Sequence, residues 1–132
     1  MTKEEKELLL KELGARLQYK LHCCVFKLNG DIKENDDVLY GVIGDNVMTL
    51  KSDKDECLMY YQIKPYIRPM SSMTEEESKE FALFQTDFYI DGFLYPIAAI
   101  NMVNWLNSHH FDYCGLIERG FALPATKEMY KD

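Results

Sequence analysis

The sequence lacks the short motifs that identify the common enzyme classes. It contains no CxxC pair, no GxGxxG or Walker A phosphate loop, and no GxSxG nucleophile turn. It also contains no internal repeat, and no apolar run reaches the roughly 18 residues that a membrane-spanning helix needs. These absences argue against a P-loop enzyme, an elbow-type serine hydrolase and a protein with membrane-spanning helices.

Basic residues are scarce relative to acidic ones. The chain has 15 Lys and Arg against 22 Asp and Glu, which gives a net charge of −7 and a pI near 5.0. Broad binding to DNA or RNA requires many Lys and Arg side chains to displace phosphate counterions. The composition therefore disfavours that mode of binding, although it leaves room for a small basic patch. The acid concentrates in residues 31–37, 53–56 and 75–80, which we interpret as solvated loops and helix starts.

The four cysteines form no disulfide or metal-binding pattern. Cys23 and Cys24 are neighbours on a predicted strand, so their side chains point to opposite faces and cannot share one metal ion. The N-terminal residues 2–10 are charged and then leucine-rich, which is typical of an amphipathic helix and not of a signal peptide. We therefore predict a cytoplasmic location, reduced thiols and small buried roles for the cysteines.

The 132 residues fit a single domain with a modest core, and 47% of them are apolar. The patterns predict an α+β fold with an N-terminal helix, a small antiparallel sheet that could close into a barrel, and a C-terminal hairpin with short helices. Within the domain, residues 1–64 form the helix and strand meander. Residues 65–123 form a connector, a helix, the hairpin and a helical corner, and residues 124–132 form a loose tail.

In the first half, a Thr2–Glu5 capping box predicts a helix over Lys3–Leu13, which Gly14 ends. Alternating apolar residues then predict four strands, over Tyr19–Leu28, Val38–Ile43, Val47–Lys51 and Cys57–Lys64. The acidic residues 31–37 are predicted to be a polar loop between the first two strands.

In the second half, two prolines four residues apart predict an extended connector over residues 64–70, outside any central strand. A helix over Thr74–Phe84 and an Asp91–Gly92 hairpin follow. The next helix runs from Ile97 to Ser108, with Ile100, Val103 and Leu106 on one face and Trp105 beside it. Asp112 is then predicted to start a short helix that Gly120 ends, and residues 121–123 to pack back on the core.

Two blocks carry a family resemblance. The first is KPYIRPMSSMTEEE at residues 64–77, and the second is WLNSHHFDY at residues 105–113. The chain resembles a family of short uncharacterised proteins encoded by phages, prophages and related mobile elements of gut bacteria, in which KPYLRPMSSMTEEE precedes WLNAHHFDYRGLIEKGLAL. Cys114 stands where that family commonly has Arg. The resemblance implies a phage or mobile-element origin and a cytoplasmic setting, and it implies no activity, substrate or cofactor.

The second block also contains the residue types of a metal or cysteine-dependent site. His109, His110, Asp112 and Cys114 are close in sequence, and His22 could join them through folding. Adjacent histidines on a helix point about 100° apart, so they rarely share one ion. Instead, we expect one histidine to cap the preceding helix and the other to pack against Phe111 and Tyr113. No known signature surrounds Cys114 or Cys57. The sequence thus predicts no metal, no cofactor and no catalytic residue.

The leading hypothesis is therefore an accessory protein that acts through protein–protein contacts, with counter-defence as one form of that role. The candidate contact residues belong to types that dominate interface energetics; they are Tyr66, Arg68, Trp105, His109, His110 and Tyr113. The partner would be a host or phage protein or a second copy, and no membrane is expected. The alternative is a nucleic-acid-binding regulator that uses an aromatic and basic face. That face would contain Tyr60, Tyr61, Lys64, Tyr66 and Arg68. Exposure of those tyrosines would favour the alternative, whereas an exposed apolar patch on the helices would favour protein binding.

Overall fold

The computed structural model describes residues 1–52, 57–86, 89–90, 93–94 and 96–130, with backbone only for 85–86, 89–90 and 93–94. Its helices are α1 (Lys3–Arg16), α2 (Glu75–Thr86) and α3 (Pro96–Ser108). Its strands are β1 (Leu21–Phe26), β2 (Ile32–Ile43), β3 (Asn46–Thr49), β4 (Leu58–Met59), β5 (Ile63–Pro69), β6 (Tyr89–Ile90), β7 (Phe93–Leu94), β8 (Phe111–Asp112) and β9 (Leu123–Pro124). The predicted α+β class is confirmed. Within the described part of the chain, no helix combines the length and apolar character needed to cross a bilayer.

The capping box at the start of α1 is present as predicted. The Glu5 amide donates to the Thr2 hydroxyl at 3.1 Å, and the Thr2 amide donates to the Glu5 carboxylate at 2.8 Å. The helix continues past Gly14 to Arg16, because the side chain of Arg16 reaches back one turn to Glu12. Leu9 and Leu13 lie on its buried face and pack on the sheet.

The main sheet has the strand order β4-β3-β2-β1-β5-β8, with β9 also paired to β5. The first four strands form the predicted antiparallel meander. The predicted fourth strand, Cys57–Lys64, is only partly correct: Leu58–Met59 is β4, Tyr60–Gln62 is a 3₁₀ helix, and the last two residues belong to β5. The sheet is nevertheless mixed, because β8 and β9 run parallel to β5, and it stays open and does not close into a barrel. One core lies between α1, the sheet and the C-terminal segment. Its largest fully buried apolar members include Leu9, Leu13, Leu21, Leu39, Leu58, Ile63, Ile67 and Leu116.

The predicted connector over residues 64–70 is wrong, since most of it is the central strand β5. β1 pairs with Ile63–Pro65, and the two short strands β8 and β9 pair with the rest of β5. Pro65 is therefore the last residue of one ladder and Pro69 the last residue of another. A proline at the end of a ladder removes only a terminal donor, so the strand tolerates both.

The predicted polar loop at residues 31–37 is also wrong, because β2 begins at Ile32 and pairs with β1. Its most acidic stretch ends at Asp37, which is only 1% exposed. The carboxylate of Asp37 accepts backbone hydrogen bonds from Val38, Lys51 and Ser52 at 2.8–3.0 Å. Although burial raises the pKa of Asp37, these hydrogen bonds and one from Thr49 lower it below its usual value. Asp37 thus ties β2 to the end of β3.

The C-terminal half contains the predicted hairpin after α2, in which Tyr89 pairs with Leu94 and Ile90 with Phe93. Its turn, Asp91–Gly92, lies outside the described residues. After α3, the carboxylate of Asp112 accepts hydrogen bonds from the Leu116 and Ile117 amides at 2.8 and 3.0 Å. The segment that follows is a series of turns and not the predicted helix.

Residues 124–130 do not form the predicted loose tail. Leu123–Pro124 is strand β9, and the Ala125 amide donates to the Ile67 carbonyl at 2.8 Å. Further along, the hydroxyl of Tyr130 donates to the Tyr66 carbonyl at 2.6 Å and accepts from the His22 amide at 2.9 Å. A large aromatic ring near the chain end thereby gains both burial and hydrogen bonds.

Candidate functional site

The predicted contact residues mostly serve the interior of the fold. Tyr66 is 8% exposed, and its hydroxyl donates to the Asn35 carbonyl at 2.7 Å. Burial raises the pKa of Tyr66 to about 12, with the neighbouring Cys24 adding to the effect. The residue thereby fastens β5 to β2 and presents little surface to a partner.

Arg68 forms a two-pronged ion pair with Glu77 at the start of α2. Its two terminal nitrogens lie 2.8 and 2.6 Å from the two carboxylate oxygens, and its guanidinium lies 4.3 Å from the centre of the Phe111 ring. The hydrogen bond from Arg68 is the main cause that lowers the pKa of Glu77 to about 2, and the Thr74 amide assists. Such a bidentate pair fixes both side chains and joins α2 to the sheet.

Trp105 and His109 form a stack on the inner side of α3. Their ring centres are 4.3 Å apart, and Phe81, Phe84 and Phe111 complete the cluster around Trp105. The indole nitrogen donates to Glu80 at 2.9 Å. His109 Nδ1 lies 2.9 Å from the Trp105 carbonyl, so His109 caps the end of α3, as predicted for one of the two histidines.

Tyr113 belongs to a buried polar network between α1 and the segment that follows α3. The Arg16 guanidinium lies 5.1 Å from the Tyr113 ring centre, and it donates to Glu12 at 2.6 Å and to the Phe111 carbonyl at 2.7 Å. The Tyr113 hydroxyl donates to the Asn107 side chain at 2.8 Å. Burial, together with the nearby Glu12 charge, raises the pKa of Tyr113 to about 12. The network holds the segment that follows α3 against α1.

Cys114 lies at the edge of the same network. Its thiol donates to the Glu12 carboxylate at 3.4 Å. Burial and the Glu12 charge raise its pKa to about 11, so it remains a thiol and not a nucleophilic thiolate. Burial likewise raises the pKa of Cys23 and Cys24, which are both in the core, whereas Cys57 is exposed, contrary to the predicted buried role. Among the residues that the structure describes, no group of three or more His, Cys, Asp or Glu could hold a metal ion.

His110 occupies a different environment from the one predicted. It stacks on Tyr130 with ring centres 3.7 Å apart, and not on Phe111 and Tyr113. It is 4% exposed and has a positive φ of 60°. Burial lowers the pKa of His110 to about 4, opposed by a hydrogen bond to the Tyr19 backbone, so the ring is neutral near pH 7. Its Nδ1 atom has no hydrogen-bond partner.

All three histidines of the chain line one cleft, which has a volume of about 600 Å³. The cleft lies where the start of β1, the end of α3 and residues 129–130 meet. Its charged and titratable lining includes Lys20, His22, Arg68, Glu77, His109 and His110. A second cavity of about 460 Å³ shares Arg68, Glu77 and Tyr130 with it. Sequence reasoning selected His109, His110 and Arg68 but missed Lys20 and Tyr130, because only the folded chain brings residues from both ends together.

The proposed aromatic and basic face is only partly assembled. Tyr66 is buried, and Arg68 is engaged by Glu77. Tyr61 is exposed, and together with Lys64, Phe26 and other residues it lines a shallow depression of about 290 Å³. The five residues therefore do not form the continuous base-stacking surface that the nucleic-acid hypothesis requires.

The outer face of α3 exposes three apolar residues. Ile97 is 72% exposed, Ile100 58% and Val103 37%, whereas Leu106, which was predicted to share a face with Ile100 and Val103, lies in the core. Ala99, Ile100, Val103 and Asn104 line a shallow depression of about 270 Å³. We call Ile97, Ile100 and Val103 the α3 stripe. Because α3 contains no Asp, Glu, Lys or Arg, its sequence does not show clearly which face is exposed.

Fold and site together define a small α+β domain with a histidine-lined cleft and an apolar helix face. Comparison with models of protein families, with curated proteins and with solved structures yields no match.

Proposed function

We propose that the protein acts by protein–protein interaction and that the α3 stripe is its contact surface. The observation that carries the proposal is the exposure of three large aliphatic side chains on one helix face. Single exposed apolar residues are ordinary, but a contiguous set around a shallow depression is typical of an interaction site.

The charge pattern supports the same surface. The whole chain has 28% charged residues, yet the 13 residues of α3 contain none. Interface cores are depleted of charge in the same way, because burying an unpaired charge costs several kcal/mol. The stripe can therefore be covered without desolvating a charged group on this helix.

The stripe fits a partner that offers an apolar groove or an apolar helix face. The i, i+3 and i+6 spacing of its residues places all three on one side of the helix, so that they can enter such a groove together. A different protein suits the surface better than a second copy does, because two chains that each carry −7 charges repel one another. The mobile-element origin, the counter-defence role and the cytoplasmic location stay predictions from the sequence.

Site-specific photo-crosslinking tests this proposal. A photoreactive amino acid replaces Ile100 in one variant and Leu28 in the control, which is 77% exposed in the turn after β1. We expect one discrete heterologous adduct at position 100 and none at position 28. A Val103→Glu change in the same chain should abolish the adduct, and the purified partner should bind the wild-type chain but not Val103→Glu.

Two other outcomes are informative. A homodimeric adduct at position 100 would support the surface and contradict the choice of partner. The same products at both positions, or an adduct that survives Val103→Glu, would show that the stripe is not a specific contact surface.

A further inference from the structure

Helix α2 carries two exposed glutamates that no cation in the described part of the chain neutralises. The helix has four glutamates, of which Glu77 pairs with Arg68 at 2.6 Å and Glu75 lies 3.9 Å from a lysine one turn further on. The other two, Glu76 and Glu80, take part in no ion pair among the residues that the structure describes. Because they are four residues apart, their like charges lie on the same side of α2 and repel each other. We call Glu76 and Glu80 the acidic rim.

The acidic rim meets α3 next to the α3 stripe. The carboxylate of Glu80 accepts a hydrogen bond from the indole nitrogen of Trp105 at 2.9 Å, and this neutral donor leaves the negative charge in place. Trp105, Asn101 and Ile97 are spaced four residues apart, so they lie along one side of α3. Leu83, one turn after Glu80, is 65% exposed and adds apolar surface on the same side of α2. The carboxylates therefore lie along the flank of α3 next to the stripe.

The shape of the stripe suits a second helix. Its residues, from Ile97 to Val103, extend about 9 Å along the axis of α3. The small side chain of Ala99 lies beside Ile100, Val103 and Asn104 and leaves a shallow depression of about 270 Å³. Helices pack by fitting the side-chain ridges of one helix into the grooves of the other. A helix that covers the stripe finds no charged group on α3 itself, so its own charges meet those of α2.

We propose that the partner of the α3 stripe binds through an amphipathic helix with basic residues beside its apolar face. The apolar face covers the stripe, and Lys or Arg side chains next to that face pair with Glu76 and Glu80. This inference rests on the proposed function above and specifies the chemistry of the partner. Lys and Arg have long aliphatic stems, which cover apolar surface while the charged head reaches a carboxylate. The same carboxylates repel an acidic helix, so the rim selects the partner by the sign of its charge.

Three synthetic helical peptides test this charge preference. They share one apolar face of Leu and Ile, and the residues beside that face are Lys in the first peptide, Gln in the second and Glu in the third. Each peptide is titrated against the chain that carries the photoreactive amino acid at position 100, and the cross-linked fraction gives the affinity. We expect the Lys peptide to bind about tenfold more tightly than the Gln peptide at low salt, and the Glu peptide to bind most weakly. These differences should shrink as added salt screens the charges.

Two matched double variants separate the acidic rim from the net charge of the chain. Glu76→Gln with Glu80→Gln removes two charges, while the new amide oxygen still accepts the hydrogen bond from Trp105. Asp31→Asn with Glu34→Gln removes two charges around the start of β2. We expect the rim variant to bring the affinities of the Lys and Gln peptides within about twofold of each other, and the control variant to keep their difference.

Three outcomes would overturn the inference. Equal affinities of the three peptides at position 100, or an equal preference for Lys in the two double variants, would show that the rim does not select the partner. If Val103→Glu still abolishes binding in those cases, the stripe remains a contact surface and only the charge of the partner was assigned wrongly. If no peptide forms a saturable adduct at position 100, the inference also fails, and the proposed function then depends on the heterologous adduct alone.

Discussion

The two candidate surfaces of this domain differ in shape, polarity and origin. The histidine-lined cleft is concave and polar, and it is assembled from both ends of the chain. The α3 stripe is apolar and lies on one uncharged helix. A concave polar site suits a small ligand, whereas a solvent-exposed apolar helix face suits a protein. Both surfaces use α3, whose C-terminal end lines the cleft, but they share no residue, so a mutation in one can leave the other unchanged.

Removing the buried Arg16 side chain should cause the largest loss of stability. Arg16 is 1% exposed, and its guanidinium binds Glu12 and the Phe111 carbonyl, next to His110. Arg16→Met would leave the Glu12 carboxylate buried without its cation. We expect a loss of about 3–5 kcal/mol in the free energy of unfolding, measured by urea denaturation. Arg119→Met, at an exposed arginine, is the control and should change stability by less than about 0.5 kcal/mol. Equal stability of the two variants would show that the Arg16 network does not support the corner.

The next largest effect is a pH dependence of stability that His110 in the cleft causes. The pKa of His110 is about 4 in the folded chain and near 6.5 in the unfolded chain. Between these two pH values, the ring is protonated in the unfolded chain and neutral in the folded one. This contribution to stability is complete above pH 6.5 and falls by up to about 3 kcal/mol as the pH drops to 4. His110→Asn should remove that part of the slope in denaturation series across this range. An unchanged slope would contradict the buried neutral ring.

A smaller effect on stability is expected for Glu77, which lines both the histidine-lined cleft and the neighbouring cavity. Glu77 has a folded pKa of about 2, below its model-compound value of 4.5, so its stabilisation is present above pH 4.5 and is lost as the pH falls towards 2. Glu77→Gln should cost about 2 kcal/mol at neutral pH, because the pair is partly exposed. Denaturation of both proteins should show the difference shrinking in acid. A difference that stays constant down to pH 2 would mean that another group causes it.

The smallest effect on stability is expected on the α3 stripe. Ile100 is 58% exposed, so Ile100→Glu should change the free energy of unfolding by less than about 0.5 kcal/mol while it abolishes partner binding. Leu28→Glu is the matched control and should change neither quantity. Circular dichroism melts and a binding assay with the purified partner measure the two properties. A strong loss of stability in Ile100→Glu would show that the stripe belongs to the core.

Local signals in the sequence predicted the elements that depend on interactions between residues close together in the sequence. The capping box at Thr2, the meander of β1–β4, the pairing of β6 with β7 and the capping role of His109 all follow from neighbours in sequence. Two of the larger failures, by contrast, concern pairing with other strands. The strand character of residues 32–37 depends on β1, and that of residues 63–69 depends on short partners near the chain end.

The candidate site was predictable to the same limited extent. Composition singled out His109 and His110, but the burial of His110 depends on its stack with Tyr130, which no local sequence pattern indicates. Lys20 carried no signal at all, because its left-handed backbone cannot be read from the residue type. The exposure of the α3 stripe was not predictable either, since α3 has no charged residue and its asparagines occur on both exposed and buried faces.

The yield of photo-crosslinked partner at position 100, relative to that at position 28, tests the central claim most directly. We expect a discrete heterologous adduct at position 100 that Val103→Glu abolishes. No adduct is expected at position 28. Equal yields at the two positions, or an adduct at position 100 that is insensitive to Val103→Glu, would contradict the assignment of the α3 stripe as the interaction surface.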